Sequence, residues 1–236
     1  MNHSFNAAQP KLHAGGRDGR ESGSPDALLP SAIRRHESVV LVHGLAASKL
    51  VMRPLERHLA SLGYQTWNWG YPSIWRGIEA HSRSLARKLD RWESRDDIQH
   101  VHFVTHSMGG ILLRHLIRQR RPQKLGRVVM LSPPNHGSHV ASRLAPVLGL
   151  ICRPLHELSD SADSFVNRLP EPTDIDLGIV AAAHDRVVAA GTTALASQKD
   201  HVTVGAGHTS LLFRSEVAQL VERFLAHGSF TQTTPC

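Results

Sequence analysis

Cysteine is nearly absent from this chain: of its 236 residues, only Cys152 and Cys236 carry thiols. Two distant thiols, one at the very end, exclude a disulfide framework and a cysteine-built metal site. Aromatic residues are scarce at 5%. No basic stripe interleaved with aromatics and no nucleic-acid motif occurs, so nucleic acid is not an expected partner. No apolar run reaches the roughly 18 residues of a membrane span, so no transmembrane segment is expected. The start, Met1-Asn2-His3-Ser4-Phe5, lacks a basic cluster followed by an apolar core. No secretory signal is read there, and a cytoplasmic chain is the default expectation. What remains is an ordinary globular composition, 41% hydrophobic, at a length that suits one α/β domain around one sizeable core.

Acidic residues are outnumbered, 20 against 27 Lys and Arg, for a formal charge of +7. The densest basic group is Arg114, Arg118, Arg120, Arg121, Lys124 and Arg127. Most of it crowds a helix C-terminus, where cations complement the helix dipole. A solvated helix end is therefore expected, ahead of an anionic partner or membrane surface.

Residues 1–37 are rich in Gly, Ser, Pro and charge, and read as a disordered tail. The domain is expected over 38–228, with 229–236 as a short C-terminal tail. Within it β and α signals alternate, which predicts a mostly parallel, doubly wound sheet with helices on both faces. Strands are read at 38–42, 65–69, 98–104, 127–131 and 177–183, with a short last one around Val202 and Val204. Helices are read at 53–62, 78–92, 111–119 and 215–226. Residues 139–170 form an irregular insertion, with a short helix over 141–150 interrupted by Pro146.

The chemistry is concentrated at Val101-His102-Phe103-Val104-Thr105-His106-Ser107-Met108-Gly109-Gly110. An apolar strand stops at a serine, two glycines follow and a helix begins. Such a junction strains the serine backbone and lifts its hydroxyl out of the sheet. Thr105 to Gly109 matches G-x-S-x-G at four of five places, with Thr105 for the first glycine. The plainer alternative is that Ser107 only caps the helix.

A serine hydroxyl needs a base, and the base needs a group that fixes its tautomer. With seventeen histidines, position must discriminate. His208, in Gly205-Ala206-Gly207-His208, follows the last strand on a glycine-flanked loop. Asp185 follows Ile179 to Ala183 and falls at a strand's C-terminal edge. Asp174, Asp176 and Asp200 are rivals that precede strands, so Asp185 is favoured. An oxyanion needs two backbone N–H donors. Met108 supplies one, and Leu45, after Val42-His43-Gly44, is the expected second.

Four segments in order carry a resemblance: Val40 to Leu45, Tyr71-Pro72-Ser73, Thr105 to Gly110, and Pro133-Pro134-Asn135-His136-Gly137-Ser138. The chain resembles α/β-hydrolases of the lipase/esterase type over about residues 38–228. The order Ser107, Asp185, His208 is that superfamily's triad order. The resemblance implies an α/β-hydrolase fold, a short cap or lid at 139–170, and hydrolysis of a small-molecule or lipid acyl ester through an acyl-serine. It implies no metal and no cofactor. His43, Gly44 and Asn135 are expected near the substrate, and Ser138 at the site floor. The alternatives are an acyltransferase or thioesterase using the same acyl-serine, and a non-catalytic binding protein of this fold. Trp67, Trp69, Tyr71 and Trp75 are expected to pack as one aromatic cluster, His106 to be packed structure, and Cys152 a small buried hydrophobe.

Overall fold

Strand β1 (Glu37–Val42) is apolar from Val39 onward because alternate side chains serve two different cores. Val40 and Val42 join one cluster, Val39 and Leu41 the other, as the twofold repeat of a strand dictates. The same division recurs in β3 (His100–His106), β4 (Leu125–Leu131) and β5 (Leu177–Ala182). With β2 (Gln65–Trp69) and β6 (Asp200–Val204), they form a six-stranded sheet of order β2-β1-β3-β4-β5-β6 in the computed structural model, which describes residues 34–231. Every neighbouring pair is parallel.

Helices α1 (Arg53–Ser61) and α7 (Ser215–His227) cover one face, through Leu55 and Leu59 and through Val217, Val221 and Phe224. Helices α2 (Ile78–Glu93) and α3 (Met108–Gln119) cover the other, through Leu85, Leu89, Ile111 and Leu112. The connections leaving β1 and β3 therefore go to opposite faces, although the two strands are neighbours. This reversal opens a crevice beyond their C-terminal ends, the place where doubly wound sheets hold ligands.

The expected elements are present, with ends moved by at most three residues. Packing also runs past the expected limits of 38 and 228: Arg34 is buried, and Phe230 packs on Phe224. The tail expected over 1–37 lies outside the described residues except for its last four positions, and 232–236 lie outside them as well. The insertion folds into three short helices, α4 (His139–Leu148), α5 (Pro154–Glu157) and α6 (Phe165–Arg168). Among the described residues no helix is long and apolar enough to cross a membrane.

Candidate active site

Ser107 is the single residue between β3 and α3, and it turns with φ 52° and ψ −125°. That region is costly for a residue with a side chain, by about 1–3 kcal/mol. It is held there by the Ser107 N–H donating to the Leu131 carbonyl at 2.9 Å. The side chain makes no capping bond to the helix, so the plain N-cap role is not the one it plays. Two glycines permit the turn's close packing. A Cβ on Gly109 would come within 2.5 Å of the Val42 carbonyl oxygen, and one on Gly44 within 2.8 Å of Ser107 Cβ. Thr105, in place of the first glycine of the motif, is wholly buried and paired in register with Val42 and Met130.

Three distant segments meet at this turn. His208 Nε2 lies 3.0 Å from Ser107 Oγ, and His208 Nδ1 lies 2.7 Å from Asp185 Oδ2. The other Asp185 oxygen accepts from the Val187 and Val188 N–H groups, each at 2.8 Å. Burial opposes charge on this carboxyl, but His208 and the two N–H groups outweigh it and hold Asp185 below the ordinary carboxylate range. With Nδ1–H given to Asp185, the His208 Nε2 lone pair faces the serine hydroxyl.

The His106 ring lies 4.8 Å, centroid to centroid, from that of His208 and has a more definite part than packing. Its Nε2–H donates to the His208 backbone carbonyl at 2.9 Å, so it holds the loop that carries the imidazole. Burial first, and the neighbouring His208 second, push His106 down to about 3. It is neutral at any ordinary pH.

The loop after β1 is clamped from the side. Tyr71 O–H donates to the His43 carbonyl at 2.7 Å, and Tyr71 N–H to His43 Nε2 at 3.4 Å. His43 Nδ1–H donates to the Gly44 carbonyl at 2.9 Å, and its ring stacks on Tyr71. Burial lowers the His43 pKa, in keeping with a neutral ring that accepts on one nitrogen and donates on the other. Among the described residues, neither the Leu45 nor the Met108 N–H is given to a protein acceptor. Both lie on the backbone that flanks Ser107.

Two residues expected near the substrate are committed elsewhere. The wholly buried His43 ring serves the loop rather than a pocket wall. Asn135 is also buried: its amide donates to the Thr193 carbonyl at 2.6 Å, and its Oδ1 accepts from Arg114 at 3.2 Å. Ser138 gives its hydroxyl to the Val187 carbonyl. Gly44 remains against Ser107. Arg118, Arg120 and Arg121 are exposed, as expected of a solvated helix end, but Arg114 is not. It is buried and donates to the Asn135 and Leu169 carbonyls at 3.0 and 2.6 Å, which ties α3 to both ends of the insertion. Arg121 and Arg127 likewise donate to carbonyls. Ten of the residues of α3 are buried, and that apolar density is the signal in the sequence that a cation at 114 has no wet face.

The rival acids sit at other places. Asp176 pairs with Lys199 and Arg127, and with Asp174 it lines a recess of about 710 Å³ at the N-terminal edge of the sheet, away from Ser107. Asp200 accepts from Ser229 and Phe230. His201 bonds Thr193, and His184 is exposed. Trp67, Trp69 and Tyr71 do pack, but Trp75 is 68% exposed and leaves the cluster. Cys152 is half-buried against the core. Among the described residues no three His, Cys, Asp or Glu side chains converge as metal ligands.

A lipase of Bacillus licheniformis, BlEst2 in its mature form, superposes with TM-score 0.55 at 17% identity, over 74% of this chain and 86% of that one. This is the α/β-hydrolase fold. Phospholipase PlaB of Legionella pneumophila in complex with thio-NAD shares it with TM-score 0.57 at 18% identity, over 67% of this chain. A protein of Mycoplasma pneumoniae described as putative esterase/lipase 3 is 21% identical over 110 residues, or 43% of this chain. The chain spans 38% of that relative and 44% of PlaB. No family model matches.

Proposed function

We propose that the chain is a serine hydrolase that cleaves a carboxylic ester through an acyl-serine intermediate. One observation carries this reading: the row Ser107 Oγ, His208 Nε2, His208 Nδ1, Asp185 Oδ2, with steps of 3.0 and 2.7 Å. Ser107 Oγ attacks the ester carbonyl carbon while His208 takes its proton. Asp185 keeps the productive tautomer and stabilises the imidazolium. The Leu45 and Met108 N–H groups, free of protein acceptors, hold the tetrahedral oxyanion. Collapse expels the alcohol, protonated by His208, and leaves the acyl-serine. Water, deprotonated by the same imidazole, then releases the carboxylic acid. The fold shared with a lipase and a phospholipase favours an acyl ester over other electrophiles.

The test is intact mass after incubation with a fluorophosphonate. Wild-type protein gains one adduct, and Ser107→Ala, with turnover lowered by about 10⁶, gains none. A folded wild type that takes no adduct refutes the reading.

A further inference from the structure

We propose that the C-terminal edge of the sheet is a docking face for an anionic phospholipid bilayer. All six strands are parallel, so every loop that follows a strand emerges at the edge where Ser107 lies. Among the described residues, every exposed large apolar side chain belongs to one of these loops. Leu50 follows β1, Trp75 follows β2, Val187 follows β5 and Phe213 follows β6. Leu144 and the stretch Val147–Ile151 lie in the insertion after β4, with Val147 76% and Leu150 100% exposed. The insertion stays at this edge, because Ser138 bonds Val187 and Glu157 accepts from the Ile78 N–H at the start of α2. Apolar side chains confined to one edge mark an interaction surface rather than the scatter of an ordinary exterior.

Each anchor carries a cation. Lys49 adjoins Leu50, Arg76 adjoins Trp75, Arg143 adjoins Leu144, Arg186 adjoins Val187, Arg214 adjoins Phe213, and Arg153 lies two positions past Ile151. All six are exposed. Among the described residues the side chains of Lys49, Arg76, Arg143 and Arg186 enter no hydrogen bond or ion pair, whereas Arg114, Arg121 and Arg127 are tied to carbonyls. The exposed acids at the same edge, Glu79, Asp160, Asp163 and Glu216, are fewer. Apolar anchors beside basic residues suit a surface with acidic headgroups over an acyl layer. A second copy of the chain fits worse, since self-association would bring six cations against six. The surface stands without the chemistry. That docking delivers membrane lipid esters to Ser107 rests on the proposed hydrolase reading.

The test is sedimentation of the Ser107→Ala chain, which leaves lipid intact, with phosphatidylcholine vesicles and with vesicles also carrying phosphatidylglycerol. The expected result is binding to the anionic vesicles alone, lost at high salt, with a blue shift in tryptophan emission that Trp75→Phe removes. Each neutralised cation should weaken binding about fivefold. Leu150→Asn with Ile151→Asn should weaken it by roughly tenfold or more, without cost to folding, since both side chains are exposed. No binding to anionic vesicles, undiminished binding by these variants, or a dimer that Leu150→Asn with Ile151→Asn dissolves would overturn the proposal. A fluorophosphonate adduct on a chain that ignores vesicles sinks the docking face alone. Vesicle binding by a chain that takes no adduct sinks the hydrolase reading and leaves the docking face.

Discussion

Replacing His106 by glutamine should change the acid stability of the chain more than its stability at neutral pH. The native imidazole is pushed from 6.5 to about 3, chiefly by burial and then by the nearby His208. The unfolded chain therefore binds a proton at this position between those limits and the native chain does not. Stability is fully present above pH 6.5 and is lost as pH falls towards 3. The linkage relation puts the loss at about 2 kcal/mol at pH 5, growing to about 4–5 kcal/mol below pH 3. The pH 5 figure hardly depends on how far below 5 the native value lies, because there the unfolded-state proton sets it. Glutamine places an amide N–H near the imidazole Nε2 position, keeps the donor to the His208 carbonyl, and removes the buried Nδ1 that has no partner. It cannot titrate. Urea unfolding followed by tryptophan fluorescence at pH 8 and pH 5 gives the comparison. At pH 8 the two proteins should agree within about 1 kcal/mol. At pH 5 the wild type should have lost about 2 kcal/mol more than His106→Gln. The other histidines held low by burial, His43, His81, His115 and His201, are common to both proteins and cancel in the difference. Parallel losses would mean that the native chain protonates His106, and that the loop contact to His208 is wet.

Asp185→Asn should keep the fold and lower turnover of a p-nitrophenyl ester about 10⁴-fold, because an amide there can donate to Nδ1 and so turn the Nε2–H towards Ser107. Near-full activity would mean that another acid orients His208. Arg114→Leu strands the Asn135 and Leu169 carbonyls, at a cost of about 2–4 kcal/mol. That should lower the thermal midpoint by about 5–15 °C, and a scanning-calorimetry shift below about 2 °C would show that the insertion holds without this tie.

The sheet was legible because its strands are buried on both faces. Val39 to Val42 and Ile179 to Ala182 read as unbroken apolar runs, bounded by turns. The positions of Ser107, Asp185 and His208 were legible because each lies just past a strand, where a parallel sheet gathers its loops at one edge. Side-chain commitments within that edge were not. His43 and Asn135 stand in the segments nearest the serine, and nothing local shows that Tyr71, 28 residues on from His43, and Arg114 take up their polar atoms. The positive-φ turn at Ser107 follows from the motif, but the use of His106 as a brace depends on a carbonyl 102 residues away.

The basic excess divides by edge rather than by sequence density, and this division explains why the crowded group was the wrong place to look for a charged partner. Arg114, Arg121 and Arg127 sit where the β-strands begin or where α3 meets the insertion, and their guanidinium groups are spent on backbone carbonyls, buried ones in the case of Arg114. A cation used in this way is a structural donor and offers little field to a ligand. The cations at the serine edge are spread one to a loop, with two in the insertion, so no run in the sequence announces them, but they share one surface once six parallel strands bring the loops together. The insertion shows both arrangements. Its base is fixed inwards by Arg114 on the Leu169 carbonyl and by Glu157 on the Ile78 N–H, while Arg143, Val147 and Leu150 face water. Burial raises the Glu157 pKa, so that inner tie is strongest above the ordinary carboxylate range and weakens as pH falls and the carboxyl takes up a proton. Acid should therefore loosen the base of the insertion before it alters the charge of the rim, whose arginines stay protonated throughout.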